Sequence, residues 1–219
     1  MQVDPTPALR ARGRPRAFER KTALAQATRL FWTKGFEATS ITDLTGAMGI
    51  GPPSLYAAFG SKESLYIEAI EHYVSTVRPH VWRHIENASS ARAGIEGMLH
   101  AAAGLLPGVA DFPSGCMVTL AVGSEACPGD IPEAVKRARL DGMALVHDCL
   151  ERAVASGELP KTTDAGRLSR FYLGVFQGMA IQARDGASPE ELAGMADVAM
   201  AAWPGGGGAH CSGRLDNTA

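Results

Sequence analysis

The side chains of this chain best suited to zinc binding or to thiol and imidazole chemistry are its four cysteines and six histidines. No two cysteines form a C-x-x-C pair, and no Cys/His group has the spacing of zinc ligands. The sequence also lacks H-E-x-x-H, a phosphate-binding glycine loop and a nucleophile elbow. An all-α enzyme or carrier built on His100, His147 and the cysteines therefore has no support. We expect no metal, no cofactor, and reduced thiols in a cytoplasmic protein at Cys116, Cys127, Cys149 and Cys211.

The positions of the basic residues indicate more about function than the cysteines and histidines do. The 219-residue chain has a net charge of −2, yet its first 34 residues contain eight basic and two acidic residues. Clustered Lys and Arg neutralise phosphates, so an anionic partner is expected at this end of the protein only. Residues 1–17 lack apolar periodicity and are predicted to form a flexible basic arm, which includes Arg12, Arg14 and Arg16.

The secondary-structure elements that position the basic residues are predicted to be helices. Hydrophobic residues make up 46% of the chain, which is enough for a core. No run of about 18 apolar residues predicts a membrane span, and the polar N-terminus is unlike a secretory signal. No segment alternates as a half-buried strand does, so the predicted fold is all-α with about nine helices.

Three short helices are predicted near the N-terminus. The first covers residues 19–34 and ends at Gly35. Ser40 and Asp43 form a capping-box pattern that begins the second helix, which Gly49 ends. The tight turn after it, with glycine free to adopt positive φ, is typical of a helix-turn-helix unit.

The third helix begins with two prolines, which are tolerated there because first-turn N–H groups have no intrahelical partner. Leu55 and Phe59 are predicted to face the core, which leaves Tyr56, Ala57 and Ala58 nearer the surface. A helix of about two turns is long enough to place its N-terminal end in a major groove. A plain connector helix would satisfy the same pattern, but the basic arm beside it favours DNA.

The stretch GFEATSITDLTGAMGIGPPSLYAAFGSKESLY, residues 35–66, resembles the DNA-binding domain of the TetR/AcrR family of bacterial transcriptional repressors. The shared residues are those of its G-F-x-x-T-S and S-L-Y-x-x-F-x-S-K-x-x-L patterns. The resemblance covers about 50 residues and implies a ligand-responsive repressor that binds a palindromic operator as a dimer. The rest of the chain matches only in the number and length of its helices.

The resemblance also implies which residues contact DNA. It assigns phosphate contacts to Ser40, Thr42, Tyr56 and Lys62, and base contacts to Pro52, Pro53, Ser54, Ala57 and Ala58. Many members carry an aromatic residue or His where this chain has one of these alanines. Alanine contacts a thymine methyl but cannot hydrogen-bond to a base edge, so direct readout by this helix is expected to be limited.

The arm contains the sequence RGRPR, which resembles the core of an AT-hook. Narrow A·T minor grooves concentrate negative potential and attract arginine, so Arg12, Arg14 and Arg16 are candidates for minor-groove contacts. A solvated basic tail that makes only nonspecific phosphate contacts is the alternative.

The sequence predicts four regions: the arm (1–17), the DNA-binding domain (18–62), an effector-binding and dimerisation domain (63–204) and a disordered tail (205–219). In the third region, helices are predicted over residues 61–86, 91–106 and 116–126. Asp130 and Ser188 are each predicted to begin a further helix with a capping box, and Asp164 to begin the helix between them.

The resemblance implies that the last two helices pair in a homodimer, although their apolar faces would equally suit burial within one chain. It also implies an effector cavity, for which core packing is the simpler explanation of most candidate residues. The expected effector is mostly apolar and uncharged, with His147 and Gln177 orienting it. The candidate ligand-binding residues are Met98, Phe112, Cys116, Met117, Leu120, Met143, His147, Phe176 and Gln177.

Two alternatives to effector-controlled repression remain at this point. Cys116 is predicted to lie at a helix start, where a thiol pKa is lowered, so the repressor would sense oxidants or electrophiles through it. A DNA-architectural protein without regulation would leave the acidic, apolar-rich body of the chain without a role.

Overall fold

The computed structural model describes residues 19–110, 112–121 and 127–205 of the chain. Within these ranges the protein is all-helical, as predicted, and a single isolated β-bridge joins Val109 to Phe112. The helices are α1 (Arg20–Lys34), α2 (Ile41–Met48), α3 (Pro52–Phe59), α4 (Lys62–Thr76), α5 (Pro79–Asn87), α6 (Ala91–Leu105), α7 (Met117–Leu120), α8 (Ile131–Ser156), α9 (Ala165–Arg184) and α10 (Pro189–Ala201). The basic arm and residues 206–219 of the predicted tail lie outside the described residues.

Helices α1 to α3 surround a small apolar core that α4 completes. Phe31 of α1, Leu44 of α2, and Leu55 and Phe59 of α3 are all buried. The ring of Phe31 meets that of Tyr66 of α4 edge-on, with centroids 4.9 Å apart. Burial of the third helix through Leu55 and Phe59 confirms the predicted orientation of α3.

Local sequence signals set the ends of α2 and α3. Ser40 and Asp43 exchange the two hydrogen bonds of a capping box, as predicted. Gly49 ends α2 in the left-handed region, at φ 66° and ψ 31°, where a side chain would be strained. Pro52 and Pro53 occupy the first turn of α3, so the backbone hydrogen bonds of that helix are intact.

The single long helix predicted for residues 61–86 is wrong, because the chain forms two helices there. Helix α4 ends at Thr76 and α5 begins at Pro79. Proline has no N–H to continue the hydrogen-bond ladder, and its ring clashes with the preceding turn. The break sets the direction of α5, and it raises the number of helices from the expected nine to ten in the described residues.

Two other predicted features of the body are wrong. Of the helix expected over residues 116–126, the described residues 116–121 form only the four-residue α7, and residues 122–126 lie outside the described part of the chain. Asp130 precedes α8 with ψ near 6°, and within the described residues its side chain makes no capping hydrogen bond. The Ser188–Glu191 capping box of α10 is present as predicted.

The body is built by α4 to α10. Helix α5 packs on α6, α8 on α9, and α10 on both α6 and α9. Helix α4 contacts α1 on one side and α8 on the other, so it joins the N-terminal unit to the body. No helix in the described residues is both long and apolar enough to cross a membrane.

Candidate nucleic-acid interface and internal cavity

Helix α3 presents an uncharged, exposed surface opposite its buried residues. Tyr56 has 47% of its surface exposed, while Leu55 on the other side of the helix has none. Ala58 is half-buried. The exposed face contains Pro52, Pro53, Ser54, Tyr56 and Ala57. A two-turn helix with this face outward is suited to enter a major groove with its N-terminal end.

Arg20 of α1 fixes the other end of α3. Its guanidinium donates to the carbonyl oxygen of Ala58 (3.3 Å) and to the carboxylate of Glu68 in α4 (2.7 and 2.8 Å). It also lies over the ring of Phe59, 4.4 Å from the ring centroid. An exposed ion pair adds little stability, so these contacts matter chiefly because they orient α3 between α1 and α4. Sequence reasoning counted Arg20 as a basic group but did not find this role.

The start of α2 is held by a charged network around Asp43. The carboxylate accepts hydrogen bonds from the backbone N–H of Ser40 (3.0 Å), from its hydroxyl (2.8 Å) and from Lys34 (3.0 Å). The hydrogen bond from the Ser40 backbone, followed by that from Lys34, lowers the pKa of Asp43 from 3.8 to about 2. Thr42 lies exposed beside this network. The first turn of α2 is therefore fixed before any partner arrives.

The residues assigned to phosphate contacts lie on adjacent helix ends. Ser40 and Thr42 are exposed at the start of α2, and Tyr56 is exposed on α3. Lys62 begins α4, where its ammonium lies 4.2 Å from the centroid of the Phe36 ring. The arginines of the arm, Arg12, Arg14 and Arg16, lie outside the described residues.

A small cavity of about 30 Å³ lies inside the body, with room for one or two water molecules. Four parts of the fold contribute its walls: the end of α4 with α5, the α7 region, α8 and α9. The lining residues are Tyr73, Arg78, Trp82, Cys116, Val118, Thr119, Ala138, Arg139, Gly142, Leu173, Phe176 and Gln177.

The structure places three of the nine candidate ligand-binding residues at this cavity: Cys116, Phe176 and Gln177. Met98 and Met117 are buried in the core, Met143 is half-buried against it, and Leu120 is half-buried. Phe112 stacks on Trp32, with ring centroids 6.1 Å apart. His147 lies half-exposed near the carboxylates of Asp148 and Glu151, at 3.6 Å from each.

The cavity contains two arginines that sequence reasoning missed, Arg78 and Arg139. Arg78 precedes Pro79 at the helix break, and its guanidinium stacks on Trp82 at 4.7 Å from the ring centroid. Arg139 donates to the carbonyl oxygens of Val118 (3.2 Å) and Ala121 (3.1 Å), which it holds beside α8. The X-Pro pair was the available signal, because a helix break turns the preceding side chain away from the expected face.

Cys116 is a buried thiol in the wall of the cavity. The hydroxyl of Tyr73 donates to its sulfur at 3.2 Å. Burial, followed by the neighbouring Cys116, raises the pKa of Tyr73 well above its ordinary value. The thiol itself is 5% exposed. Reactive cysteines lie in partly exposed sites, so this environment does not favour the redox-sensing alternative.

Arg184, in the last turn of α9, connects the body to the N-terminal unit. It donates to the carbonyl oxygens of Trp32 (2.8 Å) and Thr33 (3.1 Å), which end α1. The segment leading into α7 lies against it: a Cβ built on Gly115 would be 3.5 Å from Nε of Arg184. Arg184 therefore lies between the end of α1 and the residue that precedes Cys116 in the cavity wall.

Together, an exposed third helix fixed by α1 and α4 and a helical body with a cavity define a helix-turn-helix DNA-binding regulator. Residues 23–69 match the N-terminal region of bacterial regulatory proteins of the tetR family. Residues 94–198 match the tetracyclin repressor-like C-terminal domain. The chain belongs to the TetR family and is a DNA-binding transcriptional repressor.

Several proteins are similar to this chain. The repressor ComR of Escherichia coli (strain K12) is 33% identical over 207 residues, which cover 93% of this chain and 98% of ComR. The repressor BdcR of the same strain is 49% identical over 67 residues, or 31% of this chain and 34% of BdcR. A cysteine mutant of the regulator CifR, solved with 26-base-pair operator DNA, is 39% identical. Its TM-score is 0.80, over 87% of this chain and all of that chain.

Proposed function

We propose that this protein is a homodimeric repressor that binds a palindromic operator and is released from it by a small molecule bound in the internal cavity. The observation that carries the proposal is the contact of Arg184 with α1, because it connects the α7 wall of the cavity to the DNA-binding unit. The solved complex of CifR with operator DNA supports the DNA-binding half.

The DNA-binding domain, residues 18–62, is proposed to contact phosphates through Ser40, Thr42, Tyr56 and Lys62. The exposed face of α3 meets base edges with prolines, Ser54 and Ala57, which offer few hydrogen-bonding groups. Recognition would then depend on apolar contacts with thymine methyls and on the shape of the DNA. Minor-groove contacts by the arginines of the arm remain part of this proposal.

The body, residues 63–204, is proposed to dimerise through α9 and α10. Much of the apolar surface of these helices packs within the chain, but some of it faces outward. Phe171 and Ile181 of α9 are 43% and 49% exposed, and Val198 of α10 is 75% exposed. Gly174 and Gly178 lie between the two α9 residues, and a Cβ on either would meet open space, so a second helix can approach closely.

Release requires that the ligand favour one arrangement of the two DNA-binding units over another. A ligand larger than the present cavity must displace a wall, and the α7 segment is the wall nearest to Arg184. Movement of this segment would shift the guanidinium that holds the carbonyl oxygens of Trp32 and Thr33. Helix α1 would then rotate with α2 and α3, and the two recognition helices would no longer match successive major grooves.

The test is a fluorescence-anisotropy titration of this protein on labelled DNA from the region upstream of its own gene. We expect saturable binding that exceeds binding to an unrelated duplex of equal length and base composition. Equal affinity for the two duplexes would sink the proposal.

The coupling between the cavity and the DNA-binding unit is tested by Arg184→Gln, with Arg137→Gln on the exposed surface of α8 as the matched control. Coupling residues typically contribute about 0.5–2 kcal/mol, so we expect Arg184→Gln to change operator affinity by about 2- to 30-fold with the dimer intact. Arg137→Gln should have no effect, because Arg137 is exposed on α8, outside both the contact with α1 and the proposed dimer surface.

A further inference from the structure

Arg78 has hydrogen-bonding capacity that its surroundings leave unused. A guanidinium has five N–H donors. In the described residues, the hydrogen-bond partner of Arg78 is the carbonyl oxygen of Ala138, at a long 3.5 Å, and no carboxylate lies within 4 Å of it. The stack on Trp82 fixes the plane of the guanidinium without using a donor. The remaining donors face the cavity or the groove outside it.

The charge around the cavity is distributed unevenly. Arg139 adds a second guanidinium that has no carboxylate partner within the described ranges. The nearest acids to Arg78, Asp141 and Glu86, line the groove on its outer side and not the cavity. Burial lowers the pKa of Arg78 and these two acids oppose the shift, so the side chain stays a cation. Arg78 is half-buried, so it has lost part of its hydration, and an anion in the cavity would compensate for that loss.

The rest of the cavity wall is apolar and aromatic. The rings of Trp82 and Phe176 meet edge-on, with centroids 5.5 Å apart. Gly142 of α8 makes room for this arrangement, because a Cβ there would lie 3.2 Å from the Trp82 ring and 3.6 Å from the Arg78 guanidinium. The hydroxyls of Tyr73 and Thr119 and the amide of Gln177 add neutral polar groups.

Arg78 and Trp82 also form the wall between the cavity and an open groove of about 400 Å³ along α4, α5 and α8. Outward rotation of this pair would join the two spaces. The combined pocket would fall within the range of roughly 300–1,000 Å³ that is typical of small-ligand sites.

We propose that the effector is a small aromatic carboxylate, whose carboxylate pairs with the fork of Arg78 and whose ring packs against Phe176 in the space that outward rotation of Trp82 opens. This inference rests on the proposed effector role of the cavity. The proposed ligand is mostly apolar, as expected from the sequence, but it carries one negative charge where the sequence analysis expected none.

The test compares acids with their neutral amides. The probes are benzoate, phenylacetate and indole-3-acetate, each against benzamide, phenylacetamide or indole-3-acetamide, with binding measured by calorimetry and operator release by anisotropy. Charge-assisted, bidentate pairing predicts that at least one acid binds about tenfold or more tighter than its amide. Arg78→Met should remove this preference, while Arg83→Met, which changes an exposed arginine lining only the groove, should retain it.

The outcomes are separable. Equal affinity for each acid and its amide, no binding of any acid, or an acid preference that survives in Arg78→Met overturns the anion site. If Arg78→Met does not melt cooperatively, Arg78→Lys replaces it, and loss of the fork alone should reduce the preference. Acid binding that does not release the operator upholds the anion site and contradicts the proposed effector mechanism. Operator release by the amides alone contradicts the anion site and upholds the proposed effector mechanism.

Discussion

The DNA-binding unit and the body differ in how their exposed groups are held. On the DNA-binding unit, Arg20, Lys34 and Lys62 each have a partner within the chain: Glu68, Asp43 and the ring of Phe36. In the body, Arg78 faces a cavity without a carboxylate partner among the described residues, and the outer face of α9 and α10 exposes apolar side chains. The first surface is pre-organised for binding, whereas the second is incomplete without other molecules.

The largest effect is expected at Val198, where a charge would disrupt the proposed dimer surface of α9 and α10. Val198→Glu would place two carboxylates in an apolar interface, and an unpaired buried charge costs roughly 3–5 kcal/mol. We expect sedimentation analysis to show a shift from dimer to monomer and operator affinity to fall with it. Leu140→Glu is the matched control, since Leu140 is 56% exposed on α8, away from this surface. A dimer that survives Val198→Glu would place the interface elsewhere.

A smaller effect is expected for the phosphate-contacting residues of the DNA-binding unit. Lys62→Met keeps the apolar stem on Phe36 and removes the charge, and Tyr56→Phe removes only the hydroxyl. We expect each variant to weaken operator binding about tenfold per half-site, and Lys62→Met also to reduce the salt slope by about one per half-site. Lys136→Met, a change on the exposed surface of α8, should leave both quantities unchanged. Unchanged affinity in both variants, with normal melting, contradicts the assigned DNA-binding surface.

The smallest expected effect is the pH dependence of α2. The pKa of Asp43 is lowered from 3.8 to about 2, so its ionised form stabilises the folded state above pH 3.8. That stabilisation is lost as the pH falls from 3.8 through 2. Thermal melts across this range should show a steeper loss of stability for the parent than for Asp43→Asn. Asp130→Asn should behave as the parent does, because the Asp130 side chain makes no capping hydrogen bond in the described residues.

Most of the DNA-binding unit could be predicted from the sequence because its determinants are local. The Ser40–Asp43 box, the Gly49 turn and the two prolines act within one or two turns of helix. The same kind of signal failed at Asp130, whose backbone has ψ near 6° instead of the extended conformation of a capping residue. The apolar periodicity of residues 61–86 also gave a wrong prediction, because Pro79 breaks the helix into α4 and α5 without interrupting the periodic pattern.

The ligand site could be predicted only in part, because apolar periodicity identifies a buried face but not whether that face meets a neighbour or a cavity. Met98 is fully buried in the core, while Phe176, equally apolar in sequence, faces the cavity. His147 was favoured as a polar ligand and lies half-exposed on α8. The arginines were missed because a cation in a cavity cannot be told from a surface cation by its position in the chain.

The sequence by itself determined that the protein is all-α, where its DNA-binding helices begin and end, and which residues that unit exposes. These properties follow from capping, glycine and proline geometry, and helical periodicity, all of which act over a few residues. Only the tertiary structure decided that Arg78, Arg139 and Phe176 share one cavity and that Arg184 holds the end of α1. The bond from Arg184 to Trp32 joins residues 152 positions apart, a proximity that depends on how every intervening helix packs.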